Sequence, residues 1–353
     1  MARRTIEISR NPAHLAISRG QLLIIPKDDG DEHPSRRGKS SRNRENDTRD
    51  RPRANRPDLA TIDTLHSRIP AEDIGLLVVD HRQTTYTHSA LAVLADAGAS
   101  VIVCGDDHLP VGILMPVSSH TEQVWRVADQ IDCKPVLRKQ LWQTIVRAKI
   151  KAQANALPAE TVQRQDLHAM ARRVRSGDTG NLEAQAARLY WQALFPPTGN
   201  WKFTRTPGSG STVTKPPNNL LDYGYAIVRA AMARALVGAG LLPVIGIQHR
   251  NRSNAFCLAD DLVEPLRPMI DRRVKQLFDA GRHTLDQPTK AELLLVLSAT
   301  VQLGKKENAR FGPLDVALGR YAASLARSYK SGKAELLIPI EPEADASAGI
   351  VDG

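Results

Sequence analysis

Gly246-Ile247-Gln248-His249, followed by Leu258-Ala259-Asp260-Asp261-Leu262-Val263-Glu264-Pro265-Leu266-Arg267-Pro268, sets one histidine ahead of three carboxylates. Side chains three and four apart share a helix face, so Asp261 and Glu264 point the same way, and Asp260 stands four residues before Glu264. Gathered carboxylates repel one another unless a cation lies between them. Two readings stay open from the pattern alone. One is a divalent metal centre, for which mixed oxygen and imidazole ligation suits Mg2+ or Mn2+ better than zinc. The other is a solvated acidic helix face beside a surface histidine. Pro265 and Pro268 mark a bend between helices expected at 255–266 and 269–279.

Helical periodicity continues on both sides of this stretch. Over residues 137–151, Leu137, Leu141, Ile145 and Ala148 form an apolar stripe, with Arg138, Lys139, Arg147, Lys149 and Lys151 on the other face. Residues 182–195, 220–238, 288–302 and 313–330 are further helices, and 207–217 is a Gly/Ser/Thr/Pro-rich loop. Upstream the period changes to two. Thr5-Ile6-Glu7-Ile8-Ser9 alternates as a half-buried strand does, and residues 15–26 read as two strands turning at Arg19-Gly20. Buried strands at 75–80 and 100–105 flank a helix over 89–97, and 111–116 closes the segment. The expected class is α+β: a small N-terminal β-rich domain over 1–116, then a larger all-helical domain over 117–340 and a flexible tail at 341–353.

The 353 residues include 48 basic against 38 acidic side chains, a formal charge of +10 that suits a polyanion partner. Much of the excess is local. Between residues 33 and 57 there are 9 basic and 3 acidic side chains, and Ala54 is the single apolar residue of 28–58. That stretch has too little to bury to offset its ordering entropy, so a disordered basic insertion is expected at 28–58. It is either a solvated loop or an accessory DNA-contacting arm. Cys104, Cys133 and Cys257 form neither a zinc motif nor a disulfide framework. The first residues lack the apolar core of a signal peptide, and no apolar run is long enough to cross a bilayer. A cytoplasmic protein with no membrane partner is expected. There is no P-loop, dinucleotide fingerprint or triad signature.

Gly177-Asp178-Thr179-Gly180-Asn181-Leu182-Glu183-Ala184-Gln185-Ala186-Ala187-Arg188-Leu189-Tyr190-Trp191 resembles the central helix of the CRISPR-associated integrase of spacer acquisition, the first-numbered family of Cas proteins. Gly224 to Ala230, Gly240-Leu241-Leu242-Pro243, the Gly246–His249 stretch and the Leu258–Pro268 stretch resemble its following segments in order. Residues 137–151 and 111–116 resemble the subtype that accompanies Cas9 (type II). The likeness covers nearly the whole chain outside residues 28–58 and the two ends. It implies an N-terminal β domain, a C-terminal helical domain and a catalytic metal site of Glu183, His249 and Glu264 holding Mg2+ or Mn2+, with Asp261 an acidic position beside it. It also implies a homodimer, assembly with the small second Cas protein, DNA as substrate (prespacer fragment and CRISPR repeat), and Cas9 as a further partner.

The implied reaction is metal-dependent insertion of short DNA fragments into a CRISPR array by 3′-hydroxyl transesterification, which needs no protein nucleophile. Arg172, Arg173 and Arg175 precede the Glu183 helix, Arg188 lies on it, and Arg229, Arg250, Arg252 and Arg267 flank the other motifs. As a cluster these are candidates for phosphate contacts that position DNA without reading sequence; singly, each is an ordinary surface charge. Tyr190, Trp191, Tyr223 and Tyr225 either stack on bases or belong to the core. Asn181 and Asn254 are placed to cap helices or orient ligands. A stand-alone metal-dependent nuclease would use the same residues. A non-catalytic DNA-binding subunit would not need Glu183, His249 and Glu264.

Overall fold

The computed structural model describes residues 3–27, 67–117, 120–208, 214–304 and 308–342. The insertion expected at 28–58 lies outside the described residues, as does the tail from 343 onward. Ile74-Gly75-Leu76-Leu77-Val78-Val79 has no polar side chain, and it forms β5 (Ile74–Val79), every residue of which is buried. A strand covered on both faces reads as a continuous apolar run rather than an alternation. Beside it lie β1 (Arg4–Ile8), β7 (Ser100–Cys104) and β8 (Pro110–Leu114), in the order β1-β5-β7-β8. β1 and β7 run parallel to β5, and β8 closes the sheet antiparallel to β7. The crossover from β5 to β7 carries α1 (His88–Asp96), capped by the Thr87 hydroxyl.

The second sheet contains β2 (Ala13–Ser18), β3 (Gln21–Pro26), β4 (Ser67–Pro70) and β6 (Thr85–Tyr86), ordered β4-β3-β2-β6. β2 and β3 pair with Ser18 opposite Gln21, leaving Arg19 and Gly20 as a two-residue turn. Both have positive φ, 49° and 75°, the conformation that matches the twist of a tight hairpin.

Helices dominate from residue 123: α2 (Gln123–Ile131), α3 (Pro135–Asn155), α4 (Val162–Arg173), α5 (Leu182–Leu194), α6 (Asn218–Gly238), α7 (Cys257–Val263), α8 (Arg267–Asp279), α9 (Gln287–Leu294) and α10 (Leu314–Ser331). The α+β expectation with an all-helical C-terminal domain is overturned on two counts, and the chain is of mixed α/β class. The N-terminal sheet has parallel strands joined through a helix. Within the helical region, β9 (Thr300–Leu303) and β10 (Arg310–Pro313) form an antiparallel pair. Residues 288–302 are therefore not one helix: the continuous apolar run 293–297 hides a change of period, after which Thr300-Val301-Gln302-Leu303 alternates as a strand.

The two parts share a core. Leu76, Val78 and Ile102 from one face of the sheet pack with the buried residues of α3, α5, α6, α8 and α10, while Leu77, Val79 and Val101 from its other face pack with β2, β3 and α1. α2 is oriented against the usual rule. Val124, Trp125 and Ile131 are exposed, and its polar side faces inward. Gln130 donates to the carbonyls of Leu242 (3.0 Å) and Ile245 (3.1 Å) and accepts from Leu242 N–H, and Arg126 donates to Ala239 O at 2.8 Å. These bonds anchor the segment that leads into Gly246–His249.

Candidate active site

α3, the first turn of α5, the 246–249 loop and the short 3-10 turn Glu264–Leu266 meet at one place. Lys149 of α3 reaches its centre. Its Nζ lies 2.6 Å from Glu183 Oε1 and 2.5 Å from Glu264 Oε2, and the lysine side chain is only 13% exposed. Arg267 takes the other oxygen of Glu264 at 3.0 Å. Burial works against a charge on Glu264, but Arg267 and Lys149 outweigh it and hold the carboxyl below its usual range. Burial likewise opposes the charge of Lys149, and Glu264 and Glu183 overcome it, so the ammonium is held more firmly than in water.

Glu183 is set by the turn before its helix. Gln143 and Arg147 of α3 donate to Val174 O at 2.7 and 2.8 Å, fixing the chain where α4 ends. The chain then turns through Gly177, Asp178 and Asn181, all with positive φ. Asp178 accepts from the backbone N–H groups of Leu182 and Glu183, both at 3.0 Å, and so caps α5. Asn181 makes no side-chain cap.

His249 is held by Asp261, which is completely buried. One Asp261 oxygen accepts from Ile247 N–H (2.6 Å) and Gln248 N–H (3.0 Å); the other accepts from His249 N–H at 3.2 Å and faces His249 Nδ1 at 2.6 Å. The carboxylate therefore selects the tautomer with the proton on Nδ1 and leaves Nε2 as the available ring nitrogen. The same hydrogen bond, opposed by burial, lifts the histidine pKa above its ordinary value. Trp142 presents its edge to the imidazole, with ring centroids 6.1 Å apart. Gly246 permits the close approach: a Cβ there would collide with the His249 carbonyl and crowd Asp261. Asp260 does not join this group; Arg229 Nε donates to it at 2.7 Å and Asn254 at 2.7 Å.

Among the described residues no three His, Cys, Asp or Glu side chains are gathered tightly enough to hold a metal ion as they stand. The donor chemistry nevertheless suits a hard divalent cation. Glu183 and Glu264 converge on one positive charge, and Glu264 Oε2 is a buried oxygen that accepts no well-aligned hydrogen bond despite the nearby ammonium. His249 keeps one ring nitrogen free, with a carboxylate behind the other, the usual support of a metal-binding imidazole. Glu183, His249 and Glu264 would be the ligands, and Asp261 their orienting partner.

The other sequence candidates separate by burial. Arg172, Arg173, Arg175, Arg188, Arg250 and Arg252 are exposed. Arg173 and Arg175 line a cleft of about 450 Å³ with Thr179, Gly180, Leu182 and Gln185, at the amino end of α5. Arg267 is half-buried and committed to Glu264, with its guanidinium 4.7 Å from the Tyr225 ring centroid. Tyr190, Tyr223 and Tyr225 are buried. Tyr190 donates to Asp271 at 3.0 Å, and Tyr225 donates to the other Asp271 oxygen. Trp191 packs tilted against Phe203, centroids 5.1 Å apart. Lys149, Asp178 and Asp271 are the residues sequence reasoning missed. The available signal for Lys149 was its position one residue before Ile150 and three after Val146, both buried: a cation inside an apolar sector.

The family model described as CRISPR associated protein Cas1 matches residues 59–302. The CRISPR-associated endonuclease Cas1 of Neisseria meningitidis is 36% identical over 283 residues, covering 77% of this chain and 88% of the relative. Among solved structures, a casposase bound to integration product superposes with a TM-score of 0.67 at 16% identity, covering 99% of this chain and 96% of that one. A Cas6-RT-Cas1–Cas2 complex gives 0.62 at 17% identity, covering 97% of this chain and 36% of that one. At such identities the likeness shows a shared fold. The family match and the Neisseria relative both span the segments that converge on Lys149, and on that ground the chain belongs to the Cas1 family of CRISPR-associated proteins.

Proposed function

We propose that this chain is the divalent-metal-dependent DNA endonuclease and integrase of CRISPR adaptation, of the subtype that accompanies Cas9. The observation that carries the reading is the convergence of Glu183 and Glu264, from separate elements, on one cationic point beside a histidine oriented by Asp261. The reaction is a transesterification in which the 3′-hydroxyl of a captured DNA fragment attacks a phosphodiester of the repeat and the repeat's 3′-oxygen leaves. Glu183, Glu264 and His249 Nε2 would hold Mg2+ or Mn2+, which supplies polarisation of the phosphoryl oxygen and a lowered pKa for the attacking hydroxyl. Arg173 and Arg175 offer a phosphate site beside the amino end of α5. Asp261 keeps the imidazole in one tautomer and one direction.

Relatives whose names and titles record endonuclease activity, an integration product and a Cas1–Cas2 assembly support DNA and the small second Cas protein as partners. A homodimer within that assembly, and contact with Cas9, complete the proposal. Among the described residues no helix is long and apolar enough to cross a membrane; a cytoplasmic site of action belongs to the same proposal.

A strand-transfer assay tests this reading. The chain, its small partner, a short duplex with free 3′-hydroxyls and a repeat-bearing plasmid are combined with and without Mn2+. Metal-dependent joining is expected, and Glu183→Ala, His249→Ala and Glu264→Ala should each abolish it while leaving the fold intact by circular dichroism. Joining that survives the substitutions rejects the site. Cleavage without joining identifies a stand-alone nuclease.

A further inference from the structure

Lys149 holds one oxygen of each of the two glutamates that a divalent cation would need as ligands. Its ammonium lies within 2.6 Å of oxygens from both glutamates and is largely shielded from water. With Arg267 on the remaining Glu264 oxygen, the two carboxylates are already matched by two fixed cations. A dication ligated by Glu183 and Glu264 would stand a few ångströms from the ammonium in a poorly solvated place, where like charges repel strongly. Lysine and metal cannot share these oxygens. The lysine stem is long and flexible, so the ammonium can swing away while α3 stays packed. Leaving costs a buried cation its partners, so it needs another anion to receive it. Under the proposed function that anion is a DNA phosphate, delivered past the Arg173–Arg175 cleft at the amino end of the Glu183 helix.

We propose that Lys149 is a positioning residue that stands in for the metal in the DNA-free protein and transfers from Glu183 and Glu264 to a DNA phosphate when the divalent ion binds. This rests on the metal-site reading above. It makes metal loading and DNA binding mutually dependent: each weakens the hold of Lys149 on the place or partner the other requires. The free protein then carries little metal and little nuclease competence, and the complete site forms on DNA.

The test is Mn2+ binding to the full chain at pH 8, followed by the electron paramagnetic resonance of free Mn2+, with and without a short duplex bearing 3′-hydroxyls. Wild type is compared with Lys149→Met, Lys149→Gln and Lys149→Arg. Without DNA, the Met and Gln variants should bind Mn2+ about tenfold or more tightly than wild type, and their gain on adding DNA should shrink correspondingly. Lys149→Arg, which keeps the charge, should retain the DNA dependence. A lysine that merely braces the fold would leave Mn2+ affinity equal or weaker in the Met and Gln variants, and that result overturns the inference. Two further variants keep the readings apart: Glu183→Gln and Glu264→Gln should lose Mn2+ binding. If they do, and Lys149→Met binds no more tightly, only the inference fails. If neither does, the metal site fails and takes the inference with it. Should Lys149→Met prove unfolded by circular dichroism, Lys149→Gln decides.

Discussion

One missing methyl group lets the His249 loop close. Asp261 gathers three backbone N–H groups and the imidazole only because Gly246 brings the chain within van der Waals range of the His249 carbonyl. Gly246→Ala is expected to cost roughly 1–3 kcal/mol in urea unfolding, as overpacked sites do, and to abolish strand transfer because the imidazole loses its orientation. Wild-type joining by that variant would show that the loop can relax without consequence. Asp271 gives a pH prediction of definite sign. Burial pushes its carboxyl up from 3.8 to about 7, against the pull of the Tyr225 and Tyr190 hydroxyls. The folded state therefore holds a proton that the unfolded chain releases between those two values. The stability contribution is present in full at the acid end and is lost as pH rises through that window, by at most about 1.4 kcal/mol per pH unit. Asp271→Asn should flatten this part of the stability–pH curve, measured by urea midpoints from pH 4.5 to 8; an unchanged slope would assign the titration elsewhere.

Placement of Glu183 depends on a cap that its own sequence neighbours disguise. Asp178→Ala removes the acceptor of two N–H groups at the start of α5 and should cost about 1 kcal/mol. It should also lower strand transfer, since the frayed first turn carries Glu183; restoration by Asp178→Asn would confirm the capping role. Asn181 is at the expected capping position, with a left-handed backbone (φ 48°), but it makes no side-chain cap, and Asp178 takes the first N–H groups instead. This shows where the sequence is informative and where it stops. Helical spacing groups Asp261 with Glu264 because residue types and their intervals are local facts, whereas Glu183 and the ligand set come from the resemblance to the family's ordered motifs. By composition Lys149 is one more cation on the outer face of its helix, and the burial of Trp142, Val146 and Ile150 around it places it inward. α2 inverts the same rule: its apolar residues face out because Arg126 and Gln130 are needed by the carbonyls of residues 239–245. The β9–β10 pair went unseen because four-residue strands after an apolar run give too few periods to count.

The sheet and the helices are held to each other by more than apolar contact. Asp80, at the end of β5, pairs with Lys290 of α9, and both side chains are nearly inaccessible, 2% and 4% exposed. His108, in a left-handed conformation (φ 64°), adds its Nδ1 to both Asp80 oxygens at 2.9 and 3.0 Å. Removing one partner of a buried pair strands the other charge, so Lys290→Met alone should destabilise the chain by roughly 3–5 kcal/mol. The double variant Asp80→Asn, Lys290→Met should recover most of that loss, since it leaves no buried carboxylate without its lysine. Urea unfolding of both variants checks this, and a double variant no more stable than the single one would contradict it. No short-range pattern marks either residue, which is why the pair was invisible in the sequence: 210 positions separate them.

That separation has a consequence for how the chain is made. The ribosome completes β5 and releases Asp80 long before α9 exists, so the carboxylate must stay hydrated while most of the molecule is still being synthesised. Leu76 and Val78, the face of β5 that the helices will cover, wait uncovered beside it. A polypeptide released before Gln287, where α9 begins, would carry the full set of glutamates and the histidine, yet Asp80 would lack its lysine and keep only His108 as a partner. Chaperones and proteases respond to such exposed apolar strands. The buried pair is thus completed late: Lys290 can reach Asp80 only after nearly all of the chain has been translated.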